Sequence, residues 1–355
     1  MKVNKKIVPK KICVLRLSAL GDCCQALTVI QNVQDKAPNS KISWVIGETE
    51  FQLFKDLDDI EFIVVNKKEL LKSYLNMKKT LKGRKFDVLL NMHASMSANL
   101  ISLAINAKRK IGYDKYRTKD LQNWFCNEYI PEKNNQHVAE GMLEFLNQIN
   151  ISCSRPEWRP INLIPEEDFA KKIINKNKHT CIISPCSSTK SGDNNDRNWS
   201  IENYITLIDS IIEKHDIQII LTGGGTQTEK TYSDKFNLKL GKKVLNLIDR
   251  TSIREMAALI KYSDFLISPD SGPAHIADIM GKPVIGLYAC LNPNRSGSYK
   301  SAAWSINKYP EALKKYKRKS LEEVKWGQKI KNPDAMNLIK PNEVYAKVEQ
   351  LISKS

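Results

Sequence analysis

Four short segments carry the side chains able to do chemistry, and each sits where an apolar run gives way to a helical pattern. Ser268-Pro269-Asp270-Ser271-Gly272-Pro273-Ala274-His275 ends a strand and opens a helix with proline near its first position. Amides at such a terminus form an anion site, so Ser271 and Gly272 can present N–H groups to a diphosphate, while Asp270 either positions a ligand hydroxyl or caps the helix. His275, one turn in, reads as a core or capping histidine. Cys186-Ser187-Ser188-Thr189 follows another apolar run, and Arg197-Asn198-Trp199 comes shortly after it. Hydroxyls plus one guanidinium suit a phosphate, which Arg holds through paired charge-assisted bonds; an ordinary surface loop explains the same residues. Thr222-Gly223-Gly224-Gly225-Thr226 precedes a helix containing Glu229 and lets backbone approach a nucleotide. It lacks both the GxGxxG spacing and the Gly-Lys-Ser/Thr of a P-loop, so a plain strand-to-helix turn stands beside that reading. In Leu17-Ser18-Ala19-Leu20-Gly21-Asp22, Gly21 permits close backbone approach, and Asp22 is either a reactive carboxylate or a helix cap.

These segments need elements to hold them, and the sequence supplies a repeated strand–turn–helix pattern, the signature of parallel α/β sheets. Strands are expected at 12–17, 41–46, 61–65, 87–91 and 110–113, with helices at 23–36 and 97–106. A polar, Pro-containing stretch at 152–165 divides the chain. Beyond it strands are expected at 180–184, 218–222, 244–247, 265–268 and 284–288, and helices at 201–214, 253–262 and 273–280. After Tyr299 the pattern breaks into a basic, aromatic stretch, and an amphipathic helix at 342–353 closes the chain, able to pack on either domain. The domain expectation is 1–158, 159–335 and a terminal piece 336–355, two Rossmann-like doubly wound domains with ligands outside the strand carboxyl ends.

Composition narrows the function. The 355 residues carry 56 Lys and Arg against 39 Asp and Glu, a net charge of +17, which implies anionic partners without choosing among nucleic acid, phosphorylated molecules and lipid. No RNP, KH or zinc-finger pattern supports nucleic acid. Eight cysteines show no CxxC pair, and several lie in apolar runs as small hydrophobes, so reduced thiols and no zinc site are expected. No nucleophilic triad, HExxH helix or Asp-rich metal loop is present, so no metal and no cofactor is expected. No run is long enough for a bilayer span and no secretory leader is evident, so a cytoplasmic location is expected.

In this order the four motifs, from Leu15-Arg16-Leu17-Ser18-Ala19-Leu20-Gly21-Asp22 through Arg197-Asn198-Trp199 and Gly223–Gly225 to Asp270–His275, resemble the ADP-heptose:lipopolysaccharide heptosyltransferase family, family nine of the glycosyltransferases. The resemblance spans about residues 11 to 300. It implies a GT-B fold and an inverting, metal-independent transfer of heptose from ADP-heptose to the inner core of lipopolysaccharide, with acceptor on the first domain and nucleotide on the second. It assigns Asp22 as the base. It maps Arg197 to a phosphate-binding cation, Asp270, Ser271 and Gly272 to the sugar and diphosphate, and Gln227 or Glu229 to the ribose. The residues' own chemistry adds Ser187, Ser188, Gly224 and His275 to the donor candidates and Ser18, Gly21, His93, Lys115 and Arg117 to the acceptor candidates, the last two reading equally as a solvated loop. His93 and Asp114 are the fallback bases. Asp22 can face the Asp270–Gly272 helix start only if the domains close, so closure is expected to gate catalysis. Where many members read Tyr-Gly-Pro-Ser/Thr this chain has Tyr288-Ala289-Cys290-Leu291-Asn292-Pro293, which leaves open another nucleotide sugar, or an epimerase on the same scaffold. The arm before Pro9 and the cluster Lys314–Lys319 suit peripheral attachment to an anionic inner-membrane face.

Overall fold

Near-continuous Val, Ile and Leu runs form strands buried on both faces, the pattern that parallel sheets require. The computed structural model describes residues 8–187 and 197–354, and the chain divides into two units, Met1–Arg159 and Pro160–Ser355. In the first, the elements are β1 (Lys11–Leu15), α1 (Leu20–Lys36), β2 (Lys41–Gly47), α2 (Glu48–Phe54), β3 (Ile60–Val65), α3 (Leu70–Thr80), β4 (Phe86–Asn91), α4 (Met96–Ser102), β5 (Ala107–Gly112), β6 (Glu128–Tyr129) and α5 (Val138–Gln148). The strands form one sheet in the order β3-β2-β1-β4-β5-β6, parallel at every pairing.

The second unit repeats the plan with α6 (Ile164–Ile173), β7 (His179–Ile183), α7 (Ile201–Lys214), β8 (Ile217–Leu221), α8 (Gln227–Leu240), β9 (Leu245–Asn246), α9 (Ile253–Tyr262), β10 (Phe265–Pro269), α10 (Gly272–Met280), β11 (Val284–Tyr288), α11 (Pro293–Ser296), β12 (Ile306–Asn307), α12 (Tyr309–Lys317) and α13 (Pro341–Ile352). Its strand order is β12-β11-β10-β7-β8-β9. Each sheet therefore reverses direction beside its first strand, between β1 and β4 and between β7 and β10, which is the doubly wound Rossmann arrangement.

The expected strands and the helices at 201–214 and 253–262 form, with shifts of one to three residues at some ends. Sequence reasoning passed over α5, although Ala139, Met142, Leu143, Phe145 and Leu146 are all buried on a helical stripe packed against α1. It also read the stretch after Tyr299 as a break. There β12 pairs with β11 and α12 buries Tyr309, Ala312 and Leu313, so a two-residue strand too short to show periodicity completes the sheet. The last helix joins the second unit's core through Val344, Val348 and Leu351 and packs on α7.

Chain segments at the division are tied to α1. The Gln31 amide donates to the Arg159 carbonyl and accepts from its N–H, both at 2.9 Å, and Trp158 Nε1 donates to the Cys24 carbonyl at 2.8 Å. Among the described residues all cysteines are free thiols, Cys153 alone not being buried.

One ion cluster makes stability depend on pH. Glu167 on α6 accepts from Lys261 Nζ at 2.6 Å and from the Tyr262 hydroxyl at 2.7 Å, both on α9, and those bonds hold its carboxyl down at about 2. A depressed folded pKa contributes stability above the unfolded value, near 4.3, which is lost as pH falls toward 2. Glu167→Gln should therefore flatten the loss of stability between roughly pH 4.3 and 2, measured as urea midpoints across that range; an unchanged acid slope would remove the cluster from this role.

Candidate functional site

Each sheet places part of its sequence-predicted chemistry at the point where strand order reverses, while the glycine turn follows β8 and Lys115 and Arg117 follow β5. In the first unit, Ser18 lies in the loop after β1, Gly21 and Asp22 in the first turn of α1 that follows it, and His93 in the loop after the adjacent β4. Gly47, at the end of β2, donates its N–H to the Leu17 carbonyl at 3.0 Å, and a Cβ there would come within 2.4 Å of that oxygen. Only glycine lets β2 hold this loop so closely.

Asp22 lies in the first turn of α1, where its Oδ2 accepts the Ala19 N–H at 3.3 Å. The same oxygen is ion-paired with Arg16. Arg16 is almost wholly buried, with Nη1 donating to the Met92 carbonyl at 2.6 Å. Burial alone would lower the Arg16 pKa, but the charge and hydrogen bond of Asp22, together with Tyr113 and Cys23, hold the guanidinium above its ordinary value. Asp22 keeps 37% of its side chain exposed. The carboxylate is thus at once cap, counter-ion and open to a ligand.

His93 Nδ1 accepts the Leu17 N–H at 3.2 Å, which fixes the neutral tautomer with its proton on Nε2. In that form Nε2 is a donor for a ligand oxygen rather than a base. Asp114, the other fallback base, is 2% exposed and accepts from the Tyr116 and Arg117 N–H groups and from Arg117 Nε. It is a structural acceptor. The Arg117 guanidinium donates to Gln136, the Pro131 carbonyl and Glu144 at 2.7–2.8 Å. Lys115, paired with Glu132 at 2.8 Å, remains at the surface.

In the second unit Ser187 follows β7, and Asp270, Ser271 and Gly272 follow the adjacent β10. Ser188 lies outside the described residues. Ser268 Oγ donates to the Ser184 carbonyl at 3.1 Å, so the Ser271 hydroxyl, 2.6 Å away, is the donor to Ser268. Ser271 is left to meet a ligand through its N–H, at the start of a nine-residue helix. Arg197 Nη1 stands 3.5 Å from Asp270 Oδ2, and His275 Nε2 3.9 Å from Oδ1 of the same carboxylate. Its neighbours fix Arg197 in place: Asn198 Oδ1 accepts the Ser187 N–H at 2.8 Å, and buried Trp199 donates Nε1 to the Ile339 carbonyl at 3.1 Å. Tyr288–Leu291, the stretch that departs from the family pattern, lines one narrow cleft together with Arg197 and Asp270.

The glycine turn differs from expectation at Glu229. That carboxylate is 5% exposed; Oε1 accepts the Gly224 N–H at 2.9 Å, and Oε2 accepts the Thr226 N–H and hydroxyl at 2.8 and 2.7 Å. It shapes the turn from inside, leaving Gln227, exposed at the first position of α8, as the outward polar group. Gly225, at φ 80°, lies against Asp249, whose carboxylate would be 1.9 Å from a Cβ there. Sequence reasoning missed Asp249, whose only signal is its place just after the short strand β9.

Two parallel doubly wound units with anion-binding and carboxylate loops at their switch points define a GT-B transferase of nucleotide sugars. The model of glycosyltransferase family 9 (heptosyltransferase) matches residues 74–325, and the chain belongs to that family. It is 34% identical over 343 residues, 97% of each chain, to the lipopolysaccharide core heptosyltransferase OpsX of Haemophilus influenzae. Among solved structures, the family 9 glycosyl transferase of Veillonella parvula superposes with a TM-score of 0.78 at 19% identity, covering 99% of both chains. The heptosyltransferase WaaC of E. coli, solved with ADP, gives 0.71 at 16% identity over 96% of this chain and 99% of that one.

The geometry separates the two jobs of Asp22. Asp22→Asn leaves nearly buried Arg16 without a charge partner and should cost about 1–3 kcal/mol of stability, below the full cost of breaking a buried pair because Asp22 is partly exposed. Adding Arg16→Met should recover part of that loss and no turnover. Thermal melts beside activity assays on the single and double variants check this, and recovery of turnover with stability would make Asp22 a purely structural residue.

Proposed function

We propose that the protein transfers heptose from ADP-heptose to the inner core of lipopolysaccharide, with inversion and without a metal ion, at the cytoplasmic face of the inner membrane. What supports the reading above all is the 34% identity to a lipopolysaccharide core heptosyltransferase over 97% of both chains, joined to the fall of the Asp22 and Asp270–His275 motifs beside the two points of strand reversal. The acceptor hydroxyl oxygen attacks the anomeric carbon, the bond from that carbon to the diphosphate oxygen breaks, and the electron pair leaves with ADP. The hydroxyl proton passes to Asp22. Arg16 holds that carboxylate in place through their ion pair. His93 Nε2 and Lys115 serve the acceptor's oxygens.

On the donor side the Ser271 and Gly272 amides at the start of α10 and the Arg197 guanidinium meet the diphosphate as its charge grows, which is the stage at which stabilisation accelerates transfer. Ser187 lies beside them, Asp270 orients Arg197 or a sugar hydroxyl, and His275 backs Asp270. Gln227 and the Gly224 turn face the nucleoside.

Arg197→Ala should weaken ADP binding by about 1.5–3 kcal/mol, the net value of bonds to a charged group, and leave adenosine binding unchanged. Calorimetry with both ligands in excess EDTA reads this, and equal losses for both, or binding abolished by EDTA, would count against the assignment. For the reaction as a whole, mass spectrometry of lipopolysaccharide core from a deletion strain should show truncation at a heptose, and an intact core would overturn the proposal.

A further inference from the structure

Helix α3 buries one stripe and displays another. Leu70, Tyr74 and Met77 pack on the sheet with Leu81, while Leu71 and Leu75, one residue further round, are 73% and 56% exposed. Helix α4, which packs beside α3 on the same face, does likewise: Ala98 and Ile101 are buried, and Met96, Leu100 and Leu103 are exposed. A third element continues the surface. Asp120 accepts the Met96 N–H at 3.1 Å and the Asn99 amide at 2.8 Å, which sets the following turn against α4, and its Trp124 is 76% exposed.

Scattered surface leucines need no explanation, but an apolar face shared by three packed elements does. Its surroundings say what covers it. Residues 67–82 contain six lysines and one acid, Glu69. Lys67 pairs with Glu50 and Lys72 with Glu69, while Lys68, Lys78, Lys79 and Lys82 have no acidic partner among the described residues. Exposed leucines, an exposed indole and unneutralised lysines on short helices are the composition of a surface that lies in the headgroup region of a bilayer, with the apolar side chains among acyl chains and the ammonium groups at lipid phosphates.

We propose that the outer face of α3 and α4, with the turn carrying Trp124, docks this protein on an anionic lipid bilayer. The face belongs to the unit whose β1 and β4 loops carry Asp22 and His93, so docking holds those loops near an acceptor that is itself part of the membrane. That consequence rests on the transfer reading, whereas the docking does not.

Cosedimentation of the full chain with phosphatidylcholine vesicles, with and without phosphatidylglycerol, tests the proposal. The protein should partition onto the anionic vesicles and be released by salt. Lys78→Gln, Lys79→Gln and Lys82→Gln together should lower partitioning roughly fivefold per lysine removed, and Leu71→Ser with Leu75→Ser and Trp124→Ser should lower it about tenfold or more. Unchanged melting and ADP binding show that a loss is not misfolding, and if the leucine variant melts early the lysine variant, altered only at exposed charges, decides. Failure of the unaltered chain to bind anionic vesicles, or equal binding by the lysine variant, would overturn the proposal. So would a patch-dependent dimer in solution with vesicle binding intact, which would assign the face to a second copy. Because vesicle binding needs no sugar nucleotide, a failed transfer assay leaves this result standing and a failed vesicle assay leaves transfer untouched.

Discussion

In each sheet the constraint on which the rest depends is that strand order reverses next to the first strand. Crossover helices leaving β1 and β4 must run to opposite sides, as must those leaving β7 and β10, so the loops at those carboxyl ends part and leave backbone uncovered. A buried parallel sheet satisfies its own hydrogen bonds but not those of the helix starts beside it. The polar residues found there answer that need first. Asp22 accepts the Ala19 N–H and Glu229 ties the glycine turn, whereas the Ser271 hydroxyl is spent on Ser268 and caps no amide of α10. Chemistry occupies what such bonding leaves unsaturated, above all the amides at the start of α10.

The exposed polar groups are held from beneath by buried ones. Arg197 has no strand of its own, and it is placed by Asn198 and Trp199, which are buried. On the other side of α10, Asp278 is 1% exposed and accepts from the Ser298 hydroxyl and the Tyr299 and Lys300 N–H groups at 2.6, 2.8 and 3.2 Å. Burial pushes its pKa up in spite of those bonds, because removing a carboxylate from water outweighs them. The helix that bears the donor motif is thereby fastened to the segment after β11, whose Tyr288–Leu291 lines the Arg197–Asp270 cleft. A departure from the family pattern in that stretch is thus a change in the cleft wall.

Much of this was legible in the sequence where the physics is local. Long apolar runs ending in Gly, Ser or Asp gave the central strands and the loops after them, since a doubly buried strand has no polar face to blur the signal. Short edge strands such as β9 and β12 escaped or were blurred, because two residues have no period. Roles that depend on partners distant in sequence were not legible at all. Nothing near Arg117 announces Glu144, 27 residues on, and nothing near Asp22 shows that Arg16 loses its water to the Met92 carbonyl.

Asp22 and Glu229 show how structure separates two acids that look alike in the sequence. Each is the third residue of its helix and accepts the N–H of the residue before the first turn, and each helix follows a strand by a short loop. Glu229 has the longer side chain, which folds back so that both oxygens meet the turn and 5% of the residue is exposed. Asp22 is one methylene shorter, binds Ala19 N and Arg16 through Oδ2, and keeps 37% of its side chain in reach of a ligand. Capping therefore does not exclude a ligand at Asp22: the bond that holds the carboxylate in place leaves it accessible, whereas at Glu229 the same bond, repeated on both oxygens, uses the group up.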